Sequence, residues 1–162
     1  MLFFGEYEHT IDAKRRLAIP ADIRSRWSPE VDGTAWFAVP WRQGLIRLYT
    51  EKAFHERALN RSVTLTPDED EAELQATLFG LSARMELDSA GRVRFPEEML
   101  SMIGISNEVV LVGAGDRLEL RDRAQWRKSK LDRLKQLPEL LKRINAQGNG
   151  SRTRGSASNG VE

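Results

Sequence analysis

Residues 9–20 read HTIDAKRRLAIP, and residues 85–96 read MELDSAGRVRFP. Each stretch places an Asp four positions before an Arg, continues with alternating apolar residues and ends in Pro. Three pairs of matched residues are separated by the same 76 positions: Asp12 and Asp88, Arg16 and Arg92, Pro20 and Pro96. A motif that recurs at one offset indicates that the chain contains two copies of a single structural unit.

The match between the copies extends beyond this motif. Residues 44–54, GLIRLYTEKAF, align with residues 116–126, DRLELRDRAQW, and in this region Leu48 and Leu120 are separated by 72 positions. The second copy is therefore about four residues shorter in its middle.

Both copies predict the same order of strands and helices. Alternating apolar residues predict a strand on each side of the Asp turn, and the Pro after the second strand marks the start of a short helix. Two more strands follow, and Thr50 and Asp122 are placed to cap the helices that come after them. The order is ββαββα in each copy, so we expect an α+β fold of two tandem repeats.

The remaining segments predict two helices and a tail. Between the copies, Thr66 as N-cap and Pro67 at the first helical position predict a helix with an apolar stripe of three leucines: Leu74, Leu78 and Leu81. A long basic helix follows the second copy and is expected to be interrupted at Pro138. Its apolar face consists of Leu134, Leu137, Leu141 and Ile144. The Gly- and Ser-rich sequence from residue 147 predicts disorder.

These features divide the chain into five segments. We expect a first repeat (1–65), a connecting helix (66–83), a second repeat (84–126), a C-terminal helical extension (127–146) and a disordered tail (147–162). Six aromatic residues are assigned to the core or to subunit contacts: Trp27, Trp36, Phe37, Phe54, Phe79 and Trp126.

The composition is typical of a soluble globular protein. The chain has 162 residues, of which 40% are hydrophobic and 30% charged, and it contains no Cys, which excludes disulfides, thiolate metal sites and cysteine nucleophiles. The first ten residues have no basic segment and only a short apolar run, so we expect neither a signal peptide nor a membrane span. The net charge of +1 hides an uneven distribution, because residues 121–162 hold 11 Lys or Arg and only 4 Asp or Glu.

The Asp of each motif has an ordinary structural explanation. An Asp after a strand often accepts a hydrogen bond from the amide two residues later, and an Arg four positions on can pair with the same carboxylate. We therefore expect Asp12 and Asp88 to fix the two turns. Gly91 supports a left-handed position in the second turn.

The basic residues of the two turns are candidates for phosphate contacts. Lys14, Arg15 and Arg16 are adjacent on a loop between strands, where their mutual repulsion destabilises the fold unless an anion binds. Arg92 and Arg94 occupy the second, less basic copy. A solvated run of charge is the alternative explanation for both sets.

These motifs together resemble the MraZ family of bacterial transcriptional regulators, which are associated with cell-wall and division genes. The resemblance rests on GEYEHTIDAKRRLAIPADIR, LDSAGRVRFP and VVLVGAGDRLELRD, and it covers about residues 1–145. It implies that each copy is half of an AbrB-like swapped-hairpin double barrel, and that loops 12–16 and 88–92 face DNA. The family usually has Gly at the position of Arg15, so we expect either strain in that turn or an additional phosphate contact.

The resemblance also implies a mode of action. We expect a cytoplasmic, nucleoid-associated, non-enzymatic regulator that forms a closed homo-oligomeric ring and binds double-stranded DNA at direct repeats in a promoter. The promoters implied are those of cell-wall and division genes and of the protein's own gene. No cofactor, metal or membrane partner is expected.

Two other classes of function remain to be weighed. Two pseudo-symmetric Asp residues are also found in aspartic proteases, but that chemistry needs carboxylates that share a proton, and the bulky cations of DAKRR oppose it. His9 and His55 show no spacing typical of a metal site, and the Gly residues of VGAG precede a strand and not a helix. An oligomeric adaptor or scaffold without specific DNA binding is the stronger alternative, because the connecting and C-terminal helices both have apolar faces.

Overall fold

The computed structural model describes residues 1–60 and 65–152 of the chain. These ranges contain eight strands: β1 (Glu6–Thr10), β2 (Arg16–Ala18), β3 (Ala35–Arg42), β4 (Leu45–Thr50), β5 (Ala83–Glu86), β6 (Arg92–Arg94), β7 (Glu108–Gly113) and β8 (Leu118–Asp122). The same ranges contain six helices: α1 (Ala21–Arg26), α2 (Pro29–Asp32), α3 (Glu51–Leu59), α4 (Glu69–Gly80), α5 (Glu97–Ile103) and α6 (Arg123–Arg152). The α+β class and the tandem ββαββα order are confirmed, with α2 as one extra helix in the first copy.

The two copies are interlocked through their strands. Six strands form an antiparallel sheet in the order β1-β7-β8-β4-β3-β5, and β2 pairs with β6 in a separate two-stranded sheet. The first strand of each copy therefore pairs with the other copy, β1 with β7 and β5 with β3. If each strand is replaced by its counterpart in the other copy, the order of the large sheet becomes β5-β3-β4-β8-β7-β1, which is the same order read backwards. A duplicated unit with a pseudo-twofold axis is expected to show this symmetry.

The pseudo-twofold axis passes through two pairs of equivalent residues. In the small sheet, Leu17 of β2 lies opposite Val93 of β6. In the large sheet, Arg47 of β4 lies opposite Glu119 of β8. The first pair is apolar in both copies, whereas the second has opposite charges, so the duplication has diverged at the centre of the large sheet.

The difference in length between the copies has two sources. The first copy contains α2, for which the second copy has no counterpart, and β3 has a register shift between Pro40 and Arg42. Matched residues of the two copies are 76 positions apart around the Asp turns and 72 positions apart around Leu48 and Leu120. The helix α2 and the register shift both lie between these two regions of the first copy. The additional residues thus form a short helix and a bulge and leave the strand pairing of the repeat intact.

The core joins the small sheet, the large sheet and the short helices. Leu17 and Val93 are completely buried and belong to one apolar cluster with Ile23 of α1 and Met99 of α5. Trp36 of β3 is also fully buried and stacks on Trp27 with their ring centroids 5.0 Å apart. This packing fixes the small sheet to the body of the fold.

The aromatic residues assigned to the core or to subunit contacts differ in burial. Trp36 is completely buried, whereas Phe37, Phe54 and Trp126 are half-buried. Phe79 of α4 is 43% exposed. No residue of α4 is fully buried, so its leucine stripe also remains largely at the surface.

Two helix boundaries differ from the sequence prediction. The helix α4 begins at Glu69, and its N-cap is Asp68. The Asp68 carboxylate accepts a hydrogen bond from the Glu71 amide at 2.8 Å. The prediction that α4 starts with Thr66 as N-cap and Pro67 as first residue is therefore wrong. An Asp in front of a first turn is as good a cap as Thr, and local sequence does not decide between them. The predicted caps Thr50 and Asp122 are confirmed, since they accept from the amides of Ala53 and Gln125.

The last helix is longer than the sequence predicts. The interruption expected at Pro138 is absent, because α6 continues through Pro138 to Arg152. A Pro removes its own amide donor and crowds the preceding turn, but the turns on either side can continue the helix. The helical backbone of residues 147–152 shows that the boundary of the tail at residue 147 is too early, and residues 153–162 lie outside the described part.

Contacts divide the chain into two compact units, Met1–Trp126 and Arg127–Glu162. The first unit contains both repeats and α4. The second contains the greater part of α6, on which five leucines and one isoleucine are exposed: Leu131, Leu134, Leu137, Leu140, Leu141 and Ile144. No helix in the described ranges is long and apolar enough to span a membrane.

Candidate nucleic-acid interface

The first Asp turn is held by one carboxylate. The side chain of Asp12 accepts hydrogen bonds from the amides of Lys14 and Arg16 at 2.9 and 2.8 Å, and from Arg16 Nε at 2.7 Å. The hydrogen bond from the Arg16 amide is the main reason that the pKa of Asp12 lies below its usual value. Burial raises this pKa, but the bonds from the Arg16 side chain and the Lys14 amide lower it further, so the net shift is downward. The turn therefore places an ionised Asp against a fixed Arg.

The second turn repeats these bonds. The carboxylate of Asp88 accepts from the amides of Ala90 and Arg92 at 2.9 and 3.0 Å, and from Arg92 Nε at 2.9 Å. The hydrogen bond from the Arg92 side chain is the main reason that the pKa of Asp88 lies below its usual value. The structural role expected for both Asp residues is thus present in the geometry of both loops.

The two loops meet in one element, which we call the basic ribbon: residues 12–18 and 88–94, including strands β2 and β6. In the ribbon, Arg16 lies opposite Arg94, and Ala18 lies opposite Arg92. Because Leu17 and Val93 point into the core, the residues on either side of them lie on the outer face. Three arginines from two distant parts of the sequence therefore share one outer face.

Contacts between the loops bring the remaining candidates to the same ribbon. Arg94 Nε donates to the carbonyl of Lys14 at 3.2 Å, and Arg15 Nε donates to the carbonyl of Phe95 at 3.3 Å. A weaker ion pair joins Arg15 to Glu97 at 3.7 Å, and the Glu97 side chain is 80% exposed. All five basic residues proposed from the sequence lie on the basic ribbon.

The loops differ at one backbone position. Arg15 has φ +60°, and Gly91, which is 76 positions later, has φ +73°. The left-handed region is unfavourable for a residue with a Cβ atom, so the first turn is strained where the second is not. Arg15 is the only residue other than Gly with positive φ in residues 1–60 and 65–152.

The second loop has a cation that the sequence analysis did not identify. A Cβ atom on Gly91 would lie 2.5 Å from the Cδ and Nη1 atoms of Arg24, so the Arg24 side chain occupies the space that a side chain at Gly91 would take. Arg24 extends from α1, and its Nε donates to the carbonyl of Ile19 at 2.9 Å. Sequence spacing offers no signal for this contact, because the two residues are brought together only by the pairing of the copies.

Comparison with known proteins identifies the family. A Mycoplasmoides gallisepticum protein named "Transcriptional regulator MraZ" is 30% identical over 143 residues, which cover 86% of this chain and 97% of that protein. This chain belongs to the MraZ family. The family model described as "MraZ protein, putative antitoxin-like" matches residues 78–138, a range that contains the second Asp turn.

Other MraZ proteins align over similar lengths. A Heliobacterium modesticaldum protein of the same name is 30% identical over 78% of this chain and 85% of its own length. A Coxiella burnetii protein, also named "Transcriptional regulator MraZ", is 29% identical over 85% of this chain and 91% of its own length. The resemblance inferred from the sequence is confirmed, and these MraZ relatives are named as regulators and not as enzymes.

The geometry of this MraZ chain does not fit an acid protease. Each motif Asp is bound by the Arg of its own loop, and the lowered pKa of Asp12 and Asp88 favours the ionised form of both. Two carboxyls can share a proton only if the pKa of one of them is raised. Among the described residues, no group of three or more His, Asp or Glu side chains could hold a metal ion.

Proposed function

We propose that this chain is a sequence-specific DNA-binding transcriptional regulator and that the basic ribbon is its reading surface. The observation that supports this most directly is the outer face of β2 and β6, which combines three arginines with Lys14 and Arg15 from the adjoining loop. In this proposal the protein acts in the cytoplasm at the nucleoid. It binds promoters of cell-wall and division genes and of its own gene.

The shape of the basic ribbon suits the major groove. A two-stranded antiparallel ribbon fits within the groove, and β-strand readers of DNA present alternate side chains to the base edges. The buried partners Leu17 and Val93 hold the ribbon against the core. Its outer side chains are therefore presented on a supported backbone and not on a free loop.

The hydrogen bonds suggest separate roles for the cations. Arg92 contacts Asp88 through both Nε and Nη2, whereas Arg16 binds Asp12 through Nε, and the Asp12 carboxylate directs the two Nη groups of Arg16. A guanidinium held in this way suits bidentate contact with guanine. We assign phosphate contacts to the four cations that are not bound by Asp12 or Asp88: Lys14, Arg15, Arg24 and Arg94.

Several copies are needed for tight binding. One ribbon makes few phosphate contacts and binds weakly at physiological salt, whereas linked copies gain affinity through effective concentration. A compact body of about 140 residues has a radius of gyration near 14 Å, so it is about as wide as one turn of B-DNA is long. That turn spans about 34–36 Å. We therefore propose a closed homo-oligomeric ring whose neighbouring copies bind direct repeats spaced by about one turn.

Fluorescence anisotropy across several salt concentrations tests this proposal. The duplexes are one from upstream of the protein's own gene and a scrambled duplex of equal composition. The variants are Arg16→Ala and Arg15→Ala, with Lys52→Ala on α3 as a control that removes one positive charge outside the ribbon. Wild type and the control should bind the native duplex more tightly than the scrambled one.

The two ribbon variants should differ in kind. Arg16→Ala should reduce discrimination between the duplexes by about 1–3 kcal/mol. Arg15→Ala should weaken binding to both duplexes equally and reduce the salt slope by about 1. Equal effects of both variants on discrimination would refute the division of roles, and wild type that does not distinguish the duplexes would refute specific reading.

An oligomeric adaptor is the second candidate function. It is favoured by exposed apolar side chains on α4 and at its C-cap, where Leu74, Phe79 and Leu81 are 40%, 43% and 42% exposed. Such a surface suits subunit or protein contacts. An oligomer that forms but does not bind either duplex at low salt would support the adaptor and contradict the regulator.

A further inference from the structure

A cavity of about 340 Å³ lies between strands β3 and β4 and helices α3 and α4. We call it the aromatic cavity and define it by six of its lining residues: Trp41, Arg47, Tyr49, Phe54, Arg57 and Phe79. Its volume is within the range of small-molecule sites. None of these residues belongs to the basic ribbon.

Ring contacts build part of the cavity wall. Phe54 stacks on Phe37 with centroids 4.2 Å apart, and Phe79 meets Phe54 edge-on at 6.1 Å. Trp41 and Phe79 remain 46% and 43% exposed. The cavity therefore has a supported inner ring at Phe54 and two accessible apolar rings at its margin, which suit a flat apolar ligand.

One of the two cations of the cavity, Arg47, has a buried donor without a hydrogen-bond partner among the described residues. The Cζ atom of Arg47 lies 3.7 Å from the centroid of the Trp41 ring, a cation–π contact. Its Nε is buried and has no hydrogen-bond partner among the described residues, and the Glu119 carboxylate oxygen is 3.7 Å away. A buried donor without an acceptor is unfavourable, so a bound anion would satisfy Arg47.

Neighbouring carboxylates are already bound by other arginines. Glu119 accepts hydrogen bonds from Arg117 and Arg121 at 3.0 and 2.6 Å, and Asp116 pairs with Arg57 and Arg117. Together with Arg47, this connected group contains four guanidiniums and two carboxylates. Burial raises the pKa of Glu119, but the hydrogen bonds from Arg121 and Arg117 outweigh burial and keep its pKa below the usual value.

The excess of positive charge and the aromatic walls are complementary to one kind of ligand. We propose that the aromatic cavity binds a small molecule with an aromatic ring and one anionic group. The ring lies against Trp41 and Phe79, and the anionic group accepts hydrogen bonds from Arg47 and from the Tyr49 hydroxyl. This proposal does not depend on DNA binding.

The second copy of the repeat does not contain the same set of residues. At the offset of 72 positions, Arg47 corresponds to Glu119 and Tyr49 corresponds to Arg121. The pseudo-twofold axis would otherwise generate two such sites. Divergence of the repeat thus restricts the proposed site to the first copy, with one site in each chain.

A matched pair of probes tests the proposal on the full chain. The anionic probe is 1-anilinonaphthalene-8-sulfonate, and the neutral probe is N-phenyl-1-naphthylamine, which has the same rings without the sulfonate. Wild type should bind the anionic probe saturably at one site per chain, with a fluorescence increase. Arg47→Gln should weaken this binding by about tenfold or more, because a hydrogen bond to a charged group is lost, and should leave neutral-probe binding unchanged.

Two further variants separate the site from a general effect on folding. Tyr49→Phe keeps the ring and should weaken only the anionic probe. Arg26→Gln is the control, because Arg26 also lies over an aromatic ring, that of Phe4 at 5.8 Å, but outside the cavity. It should leave both probes unaffected. Far-ultraviolet circular dichroism and urea unfolding of each variant establish that it is folded.

Defined results would overturn the proposal. If Arg47→Gln weakened the binding of both probes equally, the cavity would not recognise the charge of the ligand. If Arg47→Gln and Tyr49→Phe both left binding of the anionic probe unchanged, the probe would bind elsewhere. Anionic-probe binding that appears only after dilution dissociates the oligomer would show that a second copy covers the cavity. That result would replace the small molecule by a subunit contact.

Discussion

Replacing Arg15 by Gly and, separately, by Ala isolates the strain in the first loop. Both variants remove the Arg side chain, including its 3.3 Å bond to the Phe95 carbonyl and its 3.7 Å ion pair with Glu97. Only the Ala variant retains a Cβ atom at φ +60°. The difference between the two variants therefore measures the backbone conformation and not the lost contacts.

The expected difference follows from two opposing effects. A left-handed conformation costs a residue with a Cβ atom about 1–2 kcal/mol. The greater freedom of Gly in the unfolded chain offsets about 0.4–1 kcal/mol of this gain. Arg15→Gly should therefore have a free energy of unfolding about 1 kcal/mol higher than that of Arg15→Ala.

Urea unfolding followed by tryptophan fluorescence measures this difference. It is carried out at one protein concentration, because the proposed oligomerisation would make the apparent stability depend on concentration. Gly91→Ala is the reciprocal test. It should destabilise the second loop by about 1 kcal/mol or more, since the new Cβ atom also displaces Arg24 from its position 2.5 Å away. Equal stability of the two Arg15 variants, or a Gly91→Ala variant as stable as wild type, would refute the strain argument.

Three further predictions concern the stability of the fold. Because the pKa of Asp12 and of Asp88 is lowered in the folded chain, their stabilising contribution is present above the unfolded value near pH 4 and is lost as the pH falls through the folded pKa. The double variant Asp12→Asn/Asp88→Asn should therefore show a shallower loss of stability than wild type when urea unfolding is measured between about pH 3 and pH 7. An unchanged slope in the double variant would contradict the assignment. Thr50→Ala should lower the free energy of unfolding by about 1 kcal/mol because the Ala53 amide loses its cap, and no change in urea unfolding would show that the cap is not needed. Leu17→Ala should lower the free energy of unfolding by about 2–5 kcal/mol, since Leu17 is completely buried beneath the ribbon. It should also weaken binding to every duplex. A stable variant that changes only sequence preference would argue against the supporting role of Leu17.

Much of the local structure is predictable because its causes are close in sequence. The Asp turn depends on bonds between residues two and four positions apart, so the motif alone predicts both loops correctly. The strands follow from a period of two, and the caps at Thr50 and Asp122 follow from one side chain each. The repeat itself is visible as a constant offset.

Errors occur where local signals allow more than one result. Thr66 and Asp68 are both competent N-caps, and the structure uses Asp68. Pro138 disfavours a helix interior, yet α6 continues through it. Thr and Asp differ little in energy as N-caps, so local sequence does not decide between them. At Pro138 the turns on either side continue the helix although Pro itself is unfavourable there.

The candidate sites required the tertiary structure. The sequence identifies Arg16 and Arg94 as basic residues of two loops, but only the pairing of β2 with β6 places them opposite each other on one face. Arg24 beside Gly91 and the aromatic cavity have no sequence signature at all. Their contacts join residues from separate elements, whereas periodicity and turn chemistry specify only how each element folds and which of its faces is apolar. Which surfaces meet is decided by the common burial of those faces in one core.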